Sequence, residues 1–153
     1  MFVFGFETSL RYSDIVTVRK HHIINGYIIK RSVKTNVQHI IPLNNRITSI
    51  LEKYNYNLNL YKNQPYDRLL KDMAKDSGIF DKDVIIIEQY GNKTLEIKKK
   101  KWECIESHTA RRTFITLKIM ENVPINIIMA NAGLKRLDTI LHYMDKYGPV
   151  KKY

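Results

Sequence analysis

The segment HHIINGYIIKRSVKTNVQHIIPL, residues 21–43, restricts the fold more than any other stretch of this chain. Asn25-Gly26 lies between two apolar runs. A two-residue hairpin turn of the primed type needs positive φ at both central positions, which Asn and Gly tolerate best. Antiparallel strands are therefore predicted on either side of it. QHIIPL supplies a third strand, joined to the second by the turn VKTN. A three-stranded antiparallel sheet thus spans roughly His21 to Leu43.

Helices precede and follow those strands along the chain. MFVFGFETSL reads as a buried helix, and Ser13 is expected to cap a short helix after it. In NNRITSILEKY the apolar residues Ile47, Ile50, Leu51 and Tyr54 recur with helical spacing, as do Tyr66, Leu69, Leu70, Met73 and Ala74 in YDRLLKDMAKDSG, which Gly78 stops. VIIIEQYGNKTLEIKKKKW predicts a second hairpin around 84–100, turning at Gly91-Asn92. A helix follows from about His108 to Glu121, with Ser107 as its cap. Pro124 opens another at INIIMANAG, where a missing N–H costs nothing, and Gly133 closes it. DTILHYM, capped by Asp138, is the last. The expected class is α+β, mostly helical, as one domain over residues 1–153.

Composition narrows the partners. Twenty-six Lys and Arg against fifteen Asp and Glu give a formal net charge of +11. A surplus of that size draws polyanions and speeds their encounter, with nucleic acid first among them and an anionic membrane surface second. No apolar run approaches the ~18 residues of a membrane span, and no long basic amphipathic helix suits a membrane surface. The single cysteine, Cys104, cannot form an internal disulfide. His21, His22 and His39 lack a Cys or carboxylate partner at ligand spacing, so no metal is expected. The basic run Lys98 to Lys101 reads as a solvated strand end.

Four short motifs carry chemistry, and their order matters. TSLRYSD places Arg11 just after a helix, and KRSVKTNVQHIIPL places Lys34 in a turn eight residues before Pro42. SHTARRTF supplies His108 and Arg111 at i and i+3, and GLKRLDTILHYM supplies Tyr143. Each alone has an ordinary reading: Arg11 as a helix-end charge, Lys34 as a solvated turn residue, His108 as part of a cap, Tyr143 as one of ten tyrosines. The ordered set does not. It resembles the catalytic domain of the tyrosine recombinases, the phage integrase family, and most of all the integrases of mobile elements.

That resemblance implies site-specific DNA recombination, integration or excision, through a 3′-phosphotyrosine intermediate. Tyr143 would be the nucleophile, and no cofactor or metal is implied, because the covalent link keeps the phosphodiester energy. Arg11 and Arg111 would grip the non-bridging oxygens with planar, permanently charged forks. His108 would donate to the phosphate or help move the tyrosine proton. Lys34 would protonate the departing 5′-oxygen, since lysine, unlike arginine, can release a proton. A phenol is a weak nucleophile at neutral pH, and cationic neighbours favour its ionised form. Recombination joins two duplexes with four protomers, so tetramer formation on DNA is implied, in the cytoplasm at the nucleoid.

Two departures set a rival beside this reading. The family places a histidine or tryptophan nine residues before the tyrosine, where this chain has Leu134. Leucine donates nothing to a phosphate, unless Lys135 substitutes for it. The family's DNA-clamping N-terminal domain and the first helix of its catalytic domain are not expected in residues 1–153. The rival is a DNA-binding remnant that cuts weakly or not at all; a topoisomerase-like relaxing activity would use the same residues.

Overall fold

The computed structural model describes residues 1–91 and 93–147, and the chain divides into two compact units. One comprises Met1–Leu60 together with His108 onward; the other is Tyr61–Ser107. The class is α+β, as the hydrophobic periodicities predict.

The first unit opens with α1 (Phe2–Thr8) and α2 (Tyr12–Ile15). Between them Ser9 takes a left-handed conformation, φ 57°, and its N–H closes on the Gly5 carbonyl. Ser13 does not cap α2: it lies inside the helix, whose N-cap is Arg11 in extended conformation. A 3-10 turn, Lys20–His22, leads into β1 (Ile23–Ile24), β2 (Tyr27–Arg31) and β3 (Gln38–Pro42), ordered β1-β2-β3 and antiparallel throughout. Asn25 and Gly26 have φ of 48° and 80°, the primed turn that their identities demand. Ile28 and Ile41 pair across the sheet, as do Lys30 and His39, and all four side chains are buried.

The inward sheet face packs with Phe4, Leu10, Ile15 and Val18, and with Ile47 and Leu51 of α3 (Asn45–Lys53). Burying each such side chain contributes roughly 1.5–3 kcal/mol. Asn44 caps α3 by accepting the Ile47 N–H at 2.8 Å. A second cluster joins Phe114, Ile115 and Ile119 of α5 (Ser107–Met120), Ile128 and Ala132 of α6 (Ile125–Ala132), and Ile140 of α7 (Leu137–Tyr147). Pro124 is the N-cap of α6, and Gly133, φ 56°, ends it. There the Leu134 N–H reaches the Met129 carbonyl at 2.9 Å and the Gly133 N–H reaches Ala130, a Schellman closure. Asp138 sits within the first turn of α7, paired with Arg136 at 2.6 Å, rather than capping it.

The second unit holds α4 (Asn63–Asp76) and the ribbon β4 (Asp83–Tyr90) with β5 (Lys93–Lys100), in register from Asp83 opposite Lys100 to Tyr90 opposite Lys93. Gly91 has φ 60°, and Asn92 lies outside the described residues. The basic run is largely matched by acid: Lys98 pairs with Asp83, Lys99 with Glu88, and Lys100 with Asp81 and Asp83. Ser107, expected as a cap, is instead the first residue of α5. Its N–H donates to Asp67 at 2.6 Å and its hydroxyl to Asn63 at 3.3 Å. No helix among the described residues is long and apolar enough to cross a membrane.

Candidate phosphate-binding site

Arg111 projects from the second turn of α5 into the interior and is 2% exposed. Its Nη1 donates to the carbonyl of Ser9 at 2.5 Å. The left-handed turn at Ser9 exposes that carbonyl, two residues before Arg11. One arm of the guanidinium is thereby fixed to the backbone and the other is not: Nη2 is buried with no hydrogen-bond partner. Nη1 of Arg11 is in the same condition. Two buried cationic donors without acceptors are costly, and the arrangement is what an anion would relieve. Burial, and then repulsion from Arg11, pull the Arg111 guanidinium down to about 10, while Tyr143 and Asp14 push the other way. It remains charged at neutral pH. The hydroxyl of Thr35, next to Lys34, is a further buried donor without a partner.

Asp14 brings the lysine turn to this place. Three residues beyond Arg11 and fully buried, it accepts the Val33 N–H at 2.7 Å on Oδ1 and the Ser32 hydroxyl at 3.2 Å on Oδ2. Ser32 in turn receives the Thr35 N–H on its hydroxyl and the Asn36 N–H on its carbonyl. The turn that presents Lys34 is therefore tied at its base to α2, while Lys34 itself is exposed.

His108, on the first turn of α5, is half-buried. Burial, then repulsion from Arg111, Arg112, Arg11 and Lys34 in decreasing order, hold its imidazole down at about 4. It is neutral at physiological pH, able to accept one proton and to donate another. Tyr143 lies on α7, partly buried against the cluster of Phe114 and Ile115, with its phenol within electrostatic range of Arg111. Arg11, Lys34, His108, Arg111 and Tyr143 thus gather in the first unit. Leu134 packs against the same apolar cluster as Tyr143; Lys135, next to it, is exposed. Arg112 faces solvent, a helical step away from Arg111.

Sequence reasoning passes over the parts that hold this cluster together. The Ser9 carbonyl is a backbone atom and leaves no mark in the sequence. Asp14 could be suspected from its place three residues after Arg11. His39, fully buried, bonds the Asn131 carbonyl through Nδ1 at 3.0 Å and had no signal at all. Among the described residues, no three His, Cys, Asp or Glu side chains gather so as to hold a metal ion.

Residues 1–148 match the phage integrase family. No curated protein sequence matches the chain. Among solved structures, it is similar to the XerH site-specific recombinase bound to palindromic difH substrate, with TM-score 0.64 and 14% identity over 99% of this chain and 41% of that one. A lambda integrase dimer bound to a COC′ core site gives TM-score 0.64 and 16% identity over 99% of this chain and 52% of that chain. The catalytic domain of bacteriophage HP1 integrase gives 0.61 and 14%, covering 98% and 74%. This chain spans about half the length, or less, of the first two.

Proposed function

Because the chain belongs to the phage integrase family, we propose that it is a tyrosine recombinase catalytic domain that cuts and rejoins double-stranded DNA for integration or excision of a mobile element. The observation that carries this reading is the pair of buried, partnerless guanidinium donors on Arg11 and Arg111, one of them braced by the Ser9 carbonyl. They would receive the two non-bridging oxygens of a scissile phosphate. Because Arg111 is held before the phosphate arrives, little reorganisation of that guanidinium is left for the transition state, where the added charge is met.

In the proposed step the Tyr143 oxygen bonds to phosphorus as the bond from phosphorus to the 5′-oxygen breaks. The phenolic proton passes to His108, neutral in the DNA-free chain and made more basic once the phosphate charge offsets its cationic neighbours. Lys34 gives a proton to the leaving oxygen, and the exposed turn lets its ammonium reach a strand lying over the site. The product is a 3′-phosphotyrosine link with a free 5′-hydroxyl, and a second strand's hydroxyl reverses the step. Joining two duplexes calls for a tetramer on DNA, acting in the cytoplasm at the nucleoid.

Leu134 supports a second reading. An apolar side chain stands where the family has a phosphate donor, so a DNA-binding remnant that cuts poorly is the alternative. A nicked suicide duplex separates the two. Denaturant-resistant protein–DNA adduct that is lost in Tyr143→Phe supports the recombinase; retained DNA binding with no adduct establishes the remnant.

A further inference from the structure

The proposed chemistry gives no task to a fully buried histidine beside the lysine turn. His39 stands on the inward face of β3, fully buried, on the strand that leaves the lysine turn. Its Nδ1 lies 3.0 Å from the carbonyl of Asn131, in the last turn of α6. A carbonyl only accepts, so Nδ1 carries the proton and Nε2 presents a lone pair. That bond satisfies one of the carbonyls a helix C-terminus leaves open. Nε2 has no hydrogen-bond partner and faces Asp14 Oδ2 at 3.8 Å, too far for a hydrogen bond. Burial pushes the imidazole below its usual range, in keeping with a neutral ring.

The ring also occupies the space that Gly133 leaves. A Cβ at position 133 would overlap His39 Cε1 and stand 2.7 Å from Nε2. Glycine is therefore required at 133 for two separate reasons: a φ of 56° and the imidazole against it. Gly133 begins the connection to α7, the helix of Tyr143. A core histidine that merely filled space would need neither a helix end as its acceptor nor a cut-out in the neighbouring backbone.

We infer that His39 is a positioning residue. By capping α6 and seating against Gly133 it fixes where the connection to α7 starts, and hence where Tyr143 stands relative to Arg111. The inference rests on the reading of Tyr143 as nucleophile, and it assigns to one side chain of the lysine hairpin a task in placing the phenol.

The test labels the full chain with 3-fluorotyrosine, assigns the Tyr143 fluorine resonance through Tyr143→Phe, and compares His39→Leu with His39→Asn. Leucine keeps the bulk and loses the donor; asparagine keeps an N–H where Nδ1 stood. His39→Leu is expected to move the Tyr143 resonance. It is also expected to slow single-turnover cleavage at saturating DNA by about tenfold or more, with half-saturation by DNA unchanged, while His39→Asn stays within about threefold of the parent. The slowing persists on a duplex with sulfur as the bridging 5′ atom, a leaving group that needs no acid, which assigns the defect to the phenol rather than to Lys34. An unmoved resonance, a defect cured by sulfur, or a loss that only follows the folded fraction would overturn the inference. Where His39→Leu does not fold, Gly133→Ala is compared with the double variant Gly133→Ala/His39→Ala. With His39→Ala as the third comparison, the double variant loses less melting temperature than the two single losses combined if the ring and the glycine are coupled, and additive losses overturn the coupling. Absence of adduct in the parent chain would sink the nucleophile reading alone, and the resonance and melting comparisons would still decide the role of His39.

Discussion

Arg111 and Ser9, 102 residues apart, are joined by a hydrogen bond of 2.5 Å from Nη1 to the Ser9 carbonyl. The bond fixes a guanidinium beside Arg11 against their mutual repulsion. Burial first, and then that closeness, lowers the Arg111 guanidinium, and together they make the DNA-free site electrostatically uncomfortable.

Removing one of the two charges relieves that repulsion. Arg11→Met is expected to hold the stability of the DNA-free chain within about 0.5 kcal/mol of the parent, or to raise it. Adduct formation on a nicked duplex falls by ~10²–10³, the usual cost of losing one donor to the transition state. Denaturant titration and gel-resolved adduct yield measure the two effects. A loss of stability above about 2 kcal/mol would show that Arg11 is a structural residue instead.

Asp14 carries a different load. Asp14→Ala removes the acceptor for Val33 N–H and for the Ser32 hydroxyl, and hydrogen bonds to charged groups contribute about 1.5–3 kcal/mol each. The expected outcome is a fall in unfolding free energy of at least about 2 kcal/mol together with rapid hydrogen exchange at the Val33 amide. Exchange at Val33 as slow as in the parent protein would show that the turn is held by something else.

His108 sets a pH dependence. Its folded value of about 4 lies below the ordinary 6.5, so the unfolded chain binds the proton more readily. Its contribution to stability is present above about 6.5 and is lost as pH falls toward 4. Melting temperatures of the DNA-free chain should therefore decline over that window, and decline less steeply in His108→Gln. Parallel curves for the two proteins would remove His108 from the account.

Leu134→His restores a donor at the place where the family keeps one. A gain of tenfold or more in adduct rate is expected, bounded by the ~2.7–4 kcal/mol that such a donor supplies. The leucine packs on the Phe114 cluster, so the variant also melts earlier. An unchanged rate in folded protein would mean that position 134 does not face the phosphate.

The lysines of β5 should matter little to DNA affinity. Lys98→Gln and Lys100→Gln remove charges already matched by Asp81 and Asp83, and each is expected to change the slope of log affinity against log salt by less than ~0.3. Lys34→Gln, if its ammonium meets a phosphate, lowers the slope by ~0.9. Filter binding from low to moderate salt reads both. Equal effects at the two places would reverse the assignment.

Much of the fold was legible because local rules and tertiary demands agree. Asn25-Gly26 has few conformations other than the turn it makes, and the spacing of Ile47 and Leu51 has one sensible buried face. Helix starts were less legible. Ser13, Ser107 and Asp138 all have the right chemistry for a cap, yet partners such as Asp67, Asn63 and Arg136 claim two of them, and Arg11 takes the position of the third. The residues that gather at the site could be named from their order along the chain. Most of what braces them could not: Asp14 stands three residues after Arg11, but a carbonyl and an imidazole seated on a glycine are relationships between distant segments, and no local pattern encodes them.

The double tether of the site, Arg111 to Ser9 and Asp14 to Val33, has an evolutionary corollary. Each tether joins a side chain to a backbone atom, so selection falls on Asp14 and Arg111, while position 33 accepts any residue but proline and position 9 any that tolerates a left-handed φ. Lineages of such domains should therefore hold the carboxylate and the guanidinium fixed while the residues that grip them back, and the exposed Lys135, vary.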